Sequence, residues 1–172
     1  MKTLLPLVLL LTLLAGCGAD TPDPSASASV PVGPTPDPMP TFTDVSKGDT
    51  DSIVRLLSFT AGKNQAVVVE PVIFMLNPDF CEAFHIPADD RRCLAAWNTS
   101  DSQAKITLPR ADDAVFALVN QADISKCMDD KGAGSCEVSA REFAAYAEDQ
   151  NHLIRLTTRN GVAIRLAELY TP

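Results

Sequence analysis

Asn160-Gly161 constrains the fold more than any other feature of this chain. The pair suits a two-residue type I′ turn, in which both central residues take positive φ. Residues 153–158 and 162–170 on either side are rich in β-branched and aliphatic side chains, so a β-hairpin is predicted. The simplest register sets Leu156 opposite Arg165 and Arg155 opposite Leu166. Neither face is then purely apolar. Either the strands are bulged or both faces are partly covered.

Upstream, residues 53–59 read as a strand and Ala61-Gly62-Lys63-Asn64 as a turn. Residues 66–76 (AVVVEPVIFML) form the most apolar run of the domain. Both faces of that run are apolar, which predicts a central, buried strand. Pro71 lies inside it and cannot donate a ladder hydrogen bond, so a bulge or an edge is expected there. Asn77-Pro78-Asp79 has the signature of a helix start, with Asn as cap and Pro at the first helical position. A short helix to Phe84 would carry Cys81, and residues 85–97 would be irregular. Two further short strands are expected at 105–108 and 115–119, joined by a turn at 109–113, and a polar loop over 124–136. Ser139-Ala140-Arg141-Glu142 is a capping box, and Ala140, Phe143, Ala144 and Ala147 follow at helical spacing. An amphipathic helix over 140–149 is predicted. The fold class is therefore α+β: a small, mostly antiparallel sheet or open barrel of five to six strands, capped by one firm amphipathic helix, with a C-terminal β-hairpin.

The first 16 residues read as a secretory leader, with a basic start at Lys2, an apolar stretch too short to span a bilayer, and small residues before a cut. Leu14-Ala15-Gly16-Cys17 resembles the bacterial lipobox, in which a diacylglycerol is attached to the cysteine before cleavage. Cys17 is thus the expected lipidation site, and its two acyl chains would meet the requirement for stable anchoring. Residues 18–40 hold seven of the 13 prolines and almost nothing large and apolar. Such a stretch cannot bury enough surface to fold and acts as a stiffened tether with a reach of roughly 70 Å. The expected organisation is a leader over 1–16, a lipidated cysteine and tether over 17–40, and one globular domain over 41–172.

Removing the leader takes away one cation, leaving 13 Lys+Arg against 22 Asp+Glu and a net charge of −9. That balance argues against nucleic acid and against docking on anionic headgroups. The expected partner is the membrane, through the lipid on Cys17, with an envelope protein or small ligand beyond it. With Cys17 assigned to lipid, four of the five cysteines remain. In an exported domain these favour disulfides. Of the three possible connectivities, the local pairs Cys81–Cys93 and Cys127–Cys136 close short polar segments and are preferred.

Three segments carry a family resemblance. Val69-Glu70-Pro71-Val72-Ile73-Phe74-Met75 ends the first hairpin, Thr107-Leu108-Pro109 lies in a later strand, and Glu168-Leu169-Tyr170-Thr171-Pro172 closes the chain. Together they resemble an uncharacterised family of secreted or lipid-anchored actinobacterial proteins. The domain cysteines and Glu70-Pro71 depart from that pattern. The resemblance implies a compartment and a fold, and no activity.

Candidate chemistry is sparse. Cys81, His85 and Cys93 could ligate zinc, but zinc needs thiolates and export favours the disulfide. Asp129-Asp130-Lys131-Gly132 lacks the alternating oxygen ligands of a calcium loop. No G-x-S-x-G elbow is present, and Gly134-Ser135-Cys136 has no evident base. His85 and His152 are the only histidines, and His152 reads as a surface residue. Asp89-Asp90 and Asp112-Asp113 are adjacent carboxylates whose side chains seldom point the same way. Trp97 reads as core. No catalytic residue, metal or cofactor is assigned. The expected function is a non-enzymatic binding or interaction domain held outside the cell membrane. The alternatives are a small envelope hydrolase using carboxylates or His85, and a carrier of an apolar ligand lodged between the sheet and the helix over 140–149.

Overall fold

The computed structural model describes residues 38–63, 65–120, 122–149 and 151–171. The expected leader, the expected lipidation site Cys17 and nearly all of the expected tether lie outside these residues. Seven strands are present: β1 (Thr50–Phe59), β2 (Ala66–Leu76), β3 (Trp97–Asp101), β4 (Ile106–Leu118), β5 (Cys136–Val138), β6 (Leu153–Arg159) and β7 (Val162–Glu168). Two short helices, α1 (Asp79–Ala83) and α2 (Ala140–Tyr146), complete the domain.

The sheet closes on itself. β1 pairs antiparallel with β2 on one side and with β6 on the other. The first half of β2 pairs with the start of β4. The end of β4 runs parallel to β7, and β7 returns antiparallel to β6. The circuit β1-β2-β4-β7-β6-β1, with α2 inserted before β6, is the Greek-key connectivity of an OB-type barrel. β3 extends the second half of β2, and β5 borders the end of β4. The class is α+β as expected, but the sheet is mixed and has seven strands. The parallel contact arises because the chain crosses over through α2 and β6 before β7 lies down beside β4.

Three local departures have plain causes. The segments expected as two strands around a turn at 109–113 are one thirteen-residue strand, β4. Its register against β7 shifts between Arg110 and Val115, so Ala111-Asp112-Asp113 form an irregularity inside the strand. β3 and β5 were not expected, because WNTSD is mostly polar and CEV is only three residues long, and both take their form from the neighbouring strand. Asn77 does not cap α1. Pro78 occupies the cap position after a cis peptide bond, and the Asn77 amide donates instead to the carbonyls of Arg92 (2.9 Å) and Ala95 (2.6 Å).

Other expectations acquire a definite form. Asn160 and Gly161 both have positive φ, and a register shift between Thr157 and Thr158 places Leu156 opposite Leu166. That bulge removes the mismatch between apolar and charged residues across the hairpin. Pro71 sits where β2 leaves β4 as its neighbour and takes up β3. The residue without an N–H thus falls at a change of partner.

Alternate residues of the barrel strands point inward. Val54, Leu56, Val67, Val69, Leu108, Ile154, Leu156 and Leu166 form one buried cluster. α2 is started by the Ser139–Glu142 capping box, each side chain satisfying the other residue's backbone N–H. It projects Phe143 into this core, against the rings of Phe59 (5.0 Å between centroids) and Phe116 (5.4 Å). The helix ends at Tyr146, three residues before the expected limit. Arg110 is buried beside these rings. Its guanidinium lies 5.0 Å from the Phe59 centroid and 5.2 Å from that of Phe116, and it donates to the carbonyls of Thr60 and Gly62.

Cys81 is bonded to Cys93 and Cys127 to Cys136, with Cα–Cα separations of 6.0 and 4.8 Å. The first bridge ties α1 to the turn at Arg91–Leu94. The second closes the segment that leads into β5. Two disulfides in so small a domain fit an oxidising compartment outside the cytoplasm.

Candidate functional site

A second apolar cluster lies away from the barrel core. Val72, Leu153 and Leu169 are buried in it, with Ile53, Phe74 and Trp97 packed against them. The alternation that sends Val54 and Leu56 inward sends Ile53 and Arg55 to this opposite face. β3 brings Trp97 across from β2, its indole 5.5 Å from the Phe74 ring. The chain beyond β7 closes the cluster with Leu169.

Beside this cluster is a half-open cleft of about 400 Å³. That volume is at the lower end of the range for small-molecule sites. Its walls come from β1 (Arg55), β3 (Trp97, Thr99), the end of α2 (Tyr146), the connection into β6 (Asn151, His152) and the C-terminal segment. Elements far apart in the chain converge here because Asn151 and His152 enter the ladder against Leu56. The Leu56 N–H donates to the His152 carbonyl (2.8 Å) and the Asn151 N–H to the Leu56 carbonyl (3.3 Å).

The charged groups around the cleft already have partners within the chain. Arg55 donates to Asp101 at 2.7 Å, lies 3.9 Å from Glu70, and reaches the Asn151 carbonyl at 3.4 Å. Glu168 accepts the Val119 N–H at 2.8 Å. Tyr146 stacks on His152 with centroids 4.2 Å apart. Burial, helped by the negative charge of Glu168, pushes the Tyr146 phenol well above its ordinary range, so it remains a neutral hydroxyl. Among the described residues, His152 Nε2 is buried without a hydrogen-bond partner.

His152 is therefore not the surface residue expected from its position before a strand. It is half-buried and wedged against Tyr146. Trp97, expected in the core, is half-buried and lines the cleft. Asn151, Thr99 and Tyr146 carried no sequence signal, since nothing local marks residues 97, 146, 151 and 168 as neighbours.

The remaining candidates lie elsewhere. His85 lines a second hollow of about 310 Å³ with Asp79 and Glu82. Cys81 and Cys93 are bonded to each other, which takes the two thiolates a zinc site there would need. The Asp129 carboxylate accepts the N–H groups of Lys131 (3.0 Å) and Ala133 (2.8 Å), so it shapes its own turn. Asp90 is held at about 2 by its hydrogen bonds to Arg92. Among the described residues, no group of three or more His, Cys, Asp or Glu side chains is placed to hold a metal ion. Between α2 and the sheet, where the carrier alternative would need an apolar cavity, the rings of Phe143, Phe59 and Phe116 pack together. The chain matches no known protein family, no curated protein and no solved structure.

Proposed function

We propose that this chain is a lipid-anchored, extracytoplasmic binding protein. Residues 1–16 are its leader, Cys17 carries the lipid, and residues 17–40 tether a barrel domain that captures a small ligand without transforming it. The observation that carries the binding role is the cleft beside Trp97. It joins an apolar wall to several polar side chains, while its charged groups are already engaged with other parts of the chain. The two disulfides and the lipobox-like Leu14-Ala15-Gly16-Cys17 support the location. A hydrolase is the second reading. Its support is the hollow where His85 meets Asp79 and Glu82 as lining residues.

Membrane fractionation tests the anchor. The wild-type chain should sediment with membranes, and Cys17→Ser should be released or remain unprocessed. A Cys17→Ser chain that is cleaved as in wild type and still sediments with membranes would overturn it. Amide shifts in the domain on ligand titration test the site. Changes centred on residues 151–153 and 168–171 support the cleft, and changes centred on residues 79–85 favour the second hollow.

A further inference from the structure

We infer that the Trp97 cleft takes an uncharged, polyhydroxylated ligand, a mono- or disaccharide. This rests on the reading of the cleft as the binding site and names its ligand class.

Three observations carry it. First, the charges of the cleft are not available as anchors. Arg55 already lies between Asp101 and Glu70, and Glu168 holds the Val119 N–H. An anionic ligand would have to displace a carboxylate from Arg55 in a domain that is itself strongly acidic. Second, the side chains of Thr99, Asn151 and Thr171 line the cleft and make no hydrogen bond to other described residues. Hydroxyl and amide groups both donate and accept, which matches a ligand whose hydroxyls do the same. Third, Trp97, Leu153 and Leu169 put an apolar wall beside these groups. A pyranose has that same division, with C–H groups on its faces and hydroxyls around its rim. An aromatic ring offers the C–H face a large, rigid contact.

The chain has a single tryptophan, so its emission reports this cleft alone. Cellobiose, maltose and N,N′-diacetylchitobiose serve as saccharide probes, inorganic phosphate as the anion, and acetyl-trialanine amide as the neutral peptide. The expected result is a saturable change in Trp97 emission with at least one disaccharide at millimolar concentration. Amide shifts should accompany it at residues 151–153 and 168–171. Thr99→Val, which keeps the shape of the side chain in β3 and removes its hydroxyl, should weaken binding about three- to tenfold, the value of one hydrogen bond to a neutral group. Phosphate should leave these signals unchanged. Shifts at the cleft with the peptide or phosphate but with no saccharide would overturn the ligand class and leave the binding site standing. Saccharide shifts confined to other residues would overturn both. Silence with every saccharide would overturn the inference.

Discussion

Replacing Arg110 with methionine tests how the barrel end near α2 is held together. Arg110 is 8 % exposed, and its charge is met by two aromatic faces and two backbone carbonyls. Burial lowers its pKa below the usual guanidinium value, and the nearby Asp112 opposes that shift. Arg110→Met keeps most of the aliphatic stem and removes the charge. Two cation–π contacts are lost, about 0.5–1 kcal/mol each. Two charge-assisted hydrogen bonds are lost as well, with a net value near 1.5 kcal/mol each. The cation no longer has to be desolvated, and the Thr60 and Gly62 carbonyls belong to an exposed turn where water can reach them. The expected net cost is about 2 kcal/mol. In a domain of this size that lowers Tm by roughly 6–12 °C. Urea unfolding followed by far-UV circular dichroism reads it as a lower midpoint at an unchanged slope. Arg110→Lys should fall between the two, since one ammonium cannot lie flat between two rings and reach both carbonyls. A midpoint for Arg110→Met that differs from wild type by less than about 0.5 kcal/mol would refute the reasoning.

Further expectations concern the bridges, the turn and the acid limb. Peptide mapping without reduction should link Cys81 to Cys93 and Cys127 to Cys136, and a Cys81–Cys127 link would contradict the structure. Replacing both Cys81 and Cys93 with serine should cost about 2–3 kcal/mol in the loop-entropy account, read from the urea midpoint. Gly161→Ala should destabilise by at least about 1 kcal/mol. Its Cβ would run into the Ser46 carbonyl oxygen, at a φ of +74°. A thermal midpoint equal to wild type would show that the turn adapts. Asp51 is held below the usual carboxylate range chiefly by its hydrogen bonds to Arg155, with desolvation opposing. Its contribution is therefore present above the unfolded carboxylate pKa of about 3.9 and is lost as pH falls through the lower folded value. Asp51→Asn should flatten the acid limb of stability below roughly pH 4, measured by urea midpoints at several pH values.

The legible parts of this fold are those whose signal is local. Asn160-Gly161 announces a hairpin because its two residues tolerate positive φ, and the capping box of α2 lies within four consecutive residues. The apolar run of β2 reads as a central strand because both its faces are apolar, one packed in the barrel core and the other, through Val72 and Phe74, against Leu153, Leu169 and Trp97. β3 and β5 escape because their strand character comes from pairing with β2 and β4, not from their own side chains. The continuity of β4 escapes because Arg110 looks like a turn residue in sequence, while in the barrel it is a buried cation between two rings. The cleft was not legible at all. Trp97, His152 and Glu168 meet only because β3 folds back along β2 and because β6 and β7 place their ends together.

The most direct measurement is the intact mass of the protein purified from membranes. The expected mass is that of the chain from Cys17 onward with a diacylglyceryl group on Cys17 and Cys81, Cys93, Cys127 and Cys136 in disulfides. A chain that begins at another residue, or one with an unmodified thiol at Cys17, would contradict the lipid-anchored account.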